Sequence, residues 1–161
     1  MKAITVKYPW SVLICSGIKD VENRTWNTGY RCRVFIHEGK KIDSLLTFTK
    51  NQLDCMKETS FTKEIIMNKK YGSSAIIGSV DIVGCVKGNE NNGIWAEYSD
   101  DRLIYNWILF NPILYEKPLP CKGALSFWDT GLREMVINKE SIRLVDIESG
   151  DVVHTTKIKK L

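Results

Sequence analysis

The stretch "GIKDVENRTW", residues 17–26, holds a glycine, two cations, two acids and a tryptophan within ten positions. The glycine is typical of a helix end, and the residues after it have the pattern of a strand. Side chains two positions apart on a strand share a face, so Glu22, Arg24 and Trp26 are predicted to project together. Lys19 lies at the corner before the strand, close enough to reach that face. Two interpretations stay open: a structural ion pair, or a site for a flat, charged ligand.

The residue types in this stretch suit a nucleobase that carries a phosphate. Lys19 is a compact cation that can hold a phosphate or, when buried, act as a base. Arg24 has a planar fork that can grip a phosphate or the edge of a base at two points. Glu22 can accept hydrogen bonds from an amino group, or neutralise the two cations beside it. Nearby aromatic side chains are candidates for a stacking surface: Trp10, Trp26 and Tyr30.

Basic residues dominate the segment that follows. Between positions 30 and 41 the only acid is Glu38. The cations are either the backbone path of a nucleic acid or a solvated basic face. The net charge of +4 permits a polyanionic partner without requiring one. The four cations are Arg31, Arg33, Lys40 and Lys41.

Short strands and one small helix surround the opening stretch. Residues 3–8, "AITVKY", alternate apolar and polar side chains and predict a half-buried strand. Residues 9–17, "PWSVLICSG", predict a short helix, with the proline at its first position and the glycine after its end. Residues 31–37, "RCRVFIH", predict a strand that pairs antiparallel with residues 20–26 across the turn "NTGY".

The remainder combines a helical segment with further strands. Residues 43–70 have helical spacing, with Asp43 or Ser44 as the cap and "KETSF" as a point where the segment can divide. Residues 87–101 are polar and predict a loop, and the three prolines within 111–123 predict an irregular or edge path. Together these elements predict an α+β fold built on a compact mixed sheet or barrel. The other predicted strands are "AIIGSVDIVGCV" (75–86, bent at its glycines), "LIYNWILF" (103–110) and "ALSFWD" (124–129).

Several segments resemble the ASCH domain family of the PUA-like superfamily. "GIKDVENR" fits the G-x-K-x-x-E-x-R signature of that family, and "YPW" resembles its Q-P-W/Y, with Tyr8 in place of the usual glutamine. The resemblance covers residues 3–129 and implies a PUA-like mixed β-barrel with a short N-terminal helix, a helical insert and a cleft lined by the signature. The other matching segments are "YRCRVFIHEGK", "IIGSVDIVGCV" and "NWILFNPILYEKPLPCKGALSFWD".

The chain is expected to divide near residue 130. Residues 1–130 are predicted to form the ASCH domain, and residues 131–161 a C-terminal β-hairpin extension packed on it. Two β-rich runs, "SIRLVDI" and "DVVHTTKI", flank the turn sequence "ESGD". We expect the hairpin to cover an edge of the barrel without supplying an essential site residue. The competing hypothesis makes the lysines near its end part of a nucleic-acid path.

The resemblance implies a module that binds nucleic acid or nucleotides, most of all RNA, because family members bind RNA, nucleotides or modified bases. The alternative is a small hydrolase acting on RNA or a modified nucleoside, with Lys19 and Glu22 as acid and base. Members that hydrolyse acetylated cytidine carry a threonine at the position of Glu22, so that activity is disfavoured. His37 is expected to bond to backbone and Trp128 to pack in the core. The predicted binding residues are Trp10, Lys19, Glu22, Arg24, Trp26, Tyr30, Arg31, Arg33, Lys40 and Ser126.

Other classes of protein fit the composition poorly. Five scattered cysteines without a C-x-x-C pair do not form a disulfide framework, and two histidines make a zinc site improbable, so no metal or cofactor is expected. No apolar run reaches the length of a membrane span, and the N-terminus has no signal-peptide pattern. We therefore expect a cytoplasmic protein, whose oligomeric state the sequence leaves open.

Overall fold

The computed structural model describes residues 1–43, 47–57, 73–90 and 93–159. This part of the chain is mostly β, with two α-helices and a short 3-10 helix at Gly88–Glu90. The helices are α1 (Trp10–Cys15) and α2 (Lys50–Met56). The strands are β1 (Lys2–Tyr8), β2 (Val21–Arg24), β3 (Arg33–Ile42), β4 (Ala75–Lys87), β5 (Tyr105–Pro120), β6 (Phe127–Asp129), β7 (Leu132–Asn138), β8 (Ser141–Asp146) and β9 (Val152–Lys157).

Six strands form the main sheet in the order β2-β5-β4-β3-β1-β6. The sheet is mixed, as predicted, because β1 and β3 run parallel while the other pairs are antiparallel. Among the described residues the sheet does not close into a barrel, and β2 and β6 are its two edges. Side chains bridge the gap between these edges: Trp26 follows β2 and its ring lies 5.4 Å from that of Phe127 on β6.

The predicted pairing of residues 20–26 with residues 31–37 is wrong. Strand β2 pairs with β5, where Glu22 lies opposite Trp107, and β3 lies between β1 and β4. The reason is burial: Val34, Phe35 and Ile36 are fully buried, so both faces of β3 are covered, as is typical of a central strand. The "NTGY" segment therefore does not form a hairpin turn but connects β2, at one edge of the sheet, with β3 in its interior.

The helix predicted after the first strand is confirmed, with its start at Trp10 rather than at the proline. Gly17 follows its end with φ +80°, a left-handed conformation that favours glycine. The helix packs on the sheet through Leu13 and Ile14, which are buried. At Gly78 of β4 a Cβ would lie 2.7 Å from the Cys15 sulfur, so this glycine allows the helix to approach the strand.

The helical prediction for residues 43–70 is only partly covered by the described residues. Helix α2 is capped by Thr49, whose side chain accepts from the Gln52 backbone while the Gln52 side chain accepts from the Thr49 backbone. Asp43 is not the cap of this helix and instead accepts from Trp10 Nε1 at 3.0 Å. Ser44 and residues 58–70 lie outside the described residues.

Strand β5 contains the three prolines of the predicted irregular segment. It pairs with β4 along its length, but with β2 only over Tyr105–Ile108. After Ile108, the edge of β5 that faces away from β4 has one strand contact in the described part of the chain, an isolated bridge between Tyr115 and Ile158. The prolines therefore lie where a missing N–H costs little, as expected for an edge. The pairing of β4 with β5 shifts register beside Gly78 and Gly84, which agrees with the predicted bend.

Residues 132–157 form a second, three-stranded antiparallel sheet in the order β7-β8-β9. The predicted hairpin corresponds to β8 and β9, and strand β7 was not predicted. A buried cluster joins this sheet to the main one, with Leu132, Ile142 and Leu144 packed against Ala3 and Phe35. We refer to residues 131–159 below as the tail sheet.

Candidate functional site

The signature brings three charged side chains together at strand β2. Glu22 Oε1 lies 2.9 Å from Arg24 Nε, and Glu22 Oε2 lies 3.9 Å from Lys19 Nζ. Lys19 also donates to the backbone carbonyl of Val21. The exposed fractions of the side chains are 4% for Lys19, 9% for Glu22 and 26% for Arg24. Arg24 is therefore the member of the group that reaches solvent, while the other two lie beneath it.

Lys19 is a buried cation in a partly acidic setting. Burial lowers its pKa, and the carboxylates of Glu22, Glu97 and Asp20 oppose this effect. Its Nζ lies 5.8 Å from the centre of the Trp10 ring, within the range of a cation–π contact. The lowered pKa makes the neutral amine of Lys19 easier to form than that of an exposed lysine.

A cleft of about 650 Å³ opens beside Arg24. Strands β1, β2 and β3 form its floor and one side, and the segment 121–126 before β6 forms its rim. Three cations lie in its walls, Arg24, Lys40 and Lys122, and no acidic residue is among the described residues that line it. The cleft therefore favours an anionic ligand. Its lining consists of Thr5, Arg24, His37, Gly39, Lys40, Ser74, Cys121, Lys122, Gly123, Ala124, Leu125 and Ser126.

His37 forms part of the cleft floor, donates to the backbone on one side and lies against Thr5 on the other. Its Nε2 lies 3.2 Å from the Cys121 carbonyl, which can only accept, so Nε2 carries a proton. Its Nδ1 lies 3.3 Å from Thr5 Oγ1, which donates to the Ala124 carbonyl at 2.9 Å. Burial lowers the pKa of His37, partly offset by the bond to Cys121, and the neutral form is favoured.

Gly123 allows the rim to lie directly on the histidine. A Cβ at Gly123 would lie 2.4 Å from His37 Cε1 and 2.8 Å from Thr5 Oγ1, closer than van der Waals contact allows. Leu125, two residues further along the rim, is 94% exposed and stands at the mouth of the cleft. The rim therefore presents an apolar side chain to solvent above a polar floor.

The structure does not assemble the three predicted aromatics into one stacking surface. Trp10 packs edge-on against Phe48 and Trp95, away from the cleft lining. Trp26 packs edge-on against Trp107. Tyr30 lies with its ring 5.0 Å from that of Phe127. Trp26 borders a smaller cleft, whose lining also includes Arg24.

The predicted basic path is also divided. Lys40 lies in the cleft lining together with Ser126, another predicted residue, whereas Lys41 is exposed outside it. Arg31 donates to the carbonyls of Thr28 and Tyr30. Arg33 forms ion pairs with two acids, one on β4 of the main sheet and one on β7 of the tail sheet. The acids are Asp81, at 3.0 Å, and Glu134, at 2.8 Å.

Sequence reasoning missed several residues of the cleft, above all Thr5, Lys122 and Gly123. Its prediction that His37 bonds to backbone is confirmed by the contact with Cys121, but the residue lies within β3 rather than at its end. The segment "CKGALS" (121–126) offered one signal, a lysine beside a glycine in a connecting loop, where binding residues are common.

Among the described residues, no group of three or more His, Cys, Asp or Glu side chains is arranged to hold a metal ion. No helix in that part of the chain is long and apolar enough to cross a membrane.

Comparison with known proteins identifies the family. The family model of the ASCH domain matches residues 4–119. Activating signal cointegrator 1 from Homo sapiens is 26% identical over 126 residues, and the same protein from Mus musculus is 25% identical. The match covers 78% of this chain but 21% of each of those proteins, so the chain spans about a fifth of the relatives' length.

Solved structures of ASCH from Zymomonas mobilis are also similar to this chain. The protein and a point mutant of it each align with a TM-score of 0.45 and 15% sequence identity. The alignments cover 74% of this chain and 72–74% of those chains.

The chain therefore belongs to the ASCH domain family, a PUA-like family often linked to RNA binding.

Proposed function

We propose that this protein binds nucleic acid or nucleotides, with RNA as the favoured ligand, in the cleft beside Arg24. One observation carries the proposal: three cations converge on a cleft whose described lining contains no acid. A phosphate at Arg24, Lys40 or Lys122 would meet charge-assisted donors. Family membership supports the same ligand class.

The arrangement suits a nucleotide better than a simple anion. Leu125 offers an exposed apolar side chain for the face of a base, and the Ser126 hydroxyl lies beside it in the same lining. The volume of about 650 Å³ is in the range of small-molecule sites. Within the signature, we assign direct contact to Arg24, and we assign to Glu22 the role of holding its guanidinium in place, with Lys19 beside Glu22 at 3.9 Å.

The test is binding of labelled single-stranded RNA by fluorescence anisotropy across a salt series. Lys40→Ala and Lys122→Ala should each weaken binding and reduce the salt slope by about one, because each substitution removes one cation that pairs with a phosphate. Arg143→Ala is the matched control, because Arg143 is an exposed arginine on the tail sheet. Wild-type affinity with an unchanged salt slope in both lysine variants would refute the proposal.

A second candidate is hydrolysis of RNA or a modified nucleoside with Lys19 and Glu22 as acid and base. The observation in its favour is the lowered pKa of Lys19 beside a carboxylate, a combination common in active sites. Against it, neither side chain is among the residues that line the cleft. Product analysis of RNA oligomers incubated with wild-type protein and with Lys19→Met separates the two candidates, because binding alone yields no product.

Acetylated cytidine is predicted not to be a substrate. Glu22 is held by Arg24 at 2.9 Å and has no hydroxyl or thiol to accept an acyl group. Incubation of acetylated cytidine with the protein, followed by chromatography, should show no deacetylation above the buffer blank. Turnover that Glu22→Ala abolishes would contradict this prediction.

A further inference from the structure

A second, smaller cleft also has Arg24 in its lining. It has a volume of about 270 Å³, and Arg24 is the residue that it shares with the described lining of the main cleft. Its walls come from β2 and from the loop before β5. The lining consists of Asn23, Arg24, Thr25, Trp26, Glu97, Arg102 and Ile104.

The walls of this cleft are fixed by two asparagines. Asn23 donates to the Trp95 carbonyl at 3.0 Å and accepts from the Glu97 backbone N–H at 3.2 Å. Fully buried Asn106 donates to Asn23 at 2.9 Å and to the Glu97 carbonyl at 3.1 Å. The loop is therefore attached to two strands, which gives the cleft a preformed shape.

The side chains of the second cleft match the parts of a nucleotide. Arg102 is exposed, and in the described part of the chain no ion pair or hydrogen bond of its side chain occurs, so it is available to a phosphate. Trp26 is half-buried and gives an aromatic surface at the cleft wall. Glu97 can accept a hydrogen bond from the amino group of a base. Arg24 lies between this set and the main cleft.

We propose that the second cleft is a nucleotide subsite, so the ligand is a single-stranded nucleic acid of at least two nucleotides rather than a free nucleotide. This inference rests on the proposed function of the main cleft. One nucleotide occupies the main cleft, the next lies against Trp26, and Arg24 contacts the phosphate between them. Arg102 contacts the phosphate beyond the second nucleotide.

Charge limits the path at its outer end. A third cleft, of about 410 Å³, also borders Arg102, and its lining includes Lys87 and the two acids Asp100 and Asp101. These carboxylates offset the charges of Arg102 and Lys87, so the cleft has no excess of positive charge for a further phosphate, and the path is expected to end after Arg102. Affinity should therefore rise from one nucleotide to two or three and then change little with length.

The experiment measures dissociation constants for a nucleoside monophosphate and for RNA and DNA oligomers of two, three, four and six nucleotides. Wild-type affinity should rise about tenfold or more between one and three nucleotides. Arg102→Ala should remove most of that gain, whereas Lys122→Ala should weaken every length. Arg143→Ala, which removes an equal charge from the tail sheet, should behave as wild type.

The outcomes separate this inference from the proposed function. If the mononucleotide and the oligomers bind equally well, or if Arg102→Ala keeps the gain with length, the second subsite is refuted and the main cleft stands. If no length binds, both proposals fail. If affinity rises equally with length for RNA and DNA, the second subsite contacts phosphates and bases. If affinity rises with length for RNA alone, the subsite also contacts the 2′-hydroxyl.

Discussion

Arg24 and Arg33 lie on the same chain within ten residues, yet their surroundings give them opposite roles. Arg24 forms its ion pair with one carboxylate, Glu22, which it shares with Lys19, while Asp20 and Glu97 act on Lys19 from further away. Arg33 has two carboxylates, Asp81 and Glu134, which leaves its cluster with one negative charge in excess. Arg24, which shares its one acidic partner with Lys19, is therefore assigned to anion binding. Arg33, which has two acidic partners of its own, is assigned to the connection between the sheets.

The Arg33 cluster connects the main sheet to the tail sheet. Glu134 lies on β7, its side chain is 3% exposed, and it accepts from Arg33, Ser79 and Tyr115. Burial opposes the charge of Arg33, but Glu134 and Asp81 outweigh burial and raise its pKa above the ordinary value. Arg33 therefore keeps its charge, and its ion pair with Glu134 connects the two sheets.

Removal of the tail sheet should have the largest effect on the difference between the Arg24 and Arg33 clusters. A chain that ends at Thr130 loses Glu134 and exposes the cluster around Phe35. We expect its melting temperature to fall by on the order of 10 °C, or the protein to self-associate, because buried apolar surface becomes exposed. The folded fraction should keep its RNA affinity, since no tail residue is among those that line the main cleft.

Calorimetry measures the melting temperature, size-exclusion chromatography measures self-association, and fluorescence anisotropy measures RNA affinity. A truncated chain that stays folded and monomeric but no longer binds RNA would show that the tail belongs to the functional surface. That result would favour the hypothesis in which the tail lysines form part of the nucleic-acid path.

Paired substitutions of the two arginines should give reciprocal results. Arg33→Ala leaves Glu134 buried without its cation and should lower the free energy of unfolding by about 3 kcal/mol, with RNA affinity preserved. Arg24→Ala should weaken RNA binding by about 1.5–3 kcal/mol. Its effect on stability should be smaller, because Lys19 remains beside Glu22.

Urea denaturation and anisotropy on both variants provide the measurements. If Arg33→Ala were the variant that lost affinity, or if both variants changed stability alike, the division of roles would not hold. Lys19→Ala is a poor binding probe by comparison, because its 4% exposed side chain acts on a ligand only through Glu22 and Arg24.

The sequence predicted local features better than distant pairings. The short helix, the glycine at its end and the closeness of Lys19, Glu22 and Arg24 depend on neighbouring residues, and the structure contains all of them. The pairing of β2 depends instead on distant strands: β3 pairs with β1 and β4, and β2 pairs with β5. Strand periodicity shows which side chains share a face but not which strand lies alongside.

Charge patterns in sequence do not show which cations are already compensated. Arg33 and Lys40 belong to the same basic segment, yet the acids that neutralise Arg33 lie 48 and 101 residues further along the chain. Lys122 reaches the cleft from an equally distant segment. The site could be assigned in part from its signature, whereas its floor and rim required the three-dimensional arrangement.

The smallest predicted effect concerns His37 at the cleft floor. Burial lowers its pKa in the folded state below the ordinary value of 6.5, so the unfolded chain binds more protons as the pH falls through that value. The stability that the neutral ring contributes is thus present above about pH 6.5 and is lost as the pH falls below it.

His37→Gln keeps a donor for the Cys121 carbonyl but does not titrate. Between about pH 7.5 and pH 5 the melting temperature of the wild type should fall further than that of the variant, by at most about 2–4 °C, the shift that 1 kcal/mol produces in a chain of this size. Thermal melts of both proteins across this range measure the difference, and parallel curves would show that His37 does not titrate differently on unfolding.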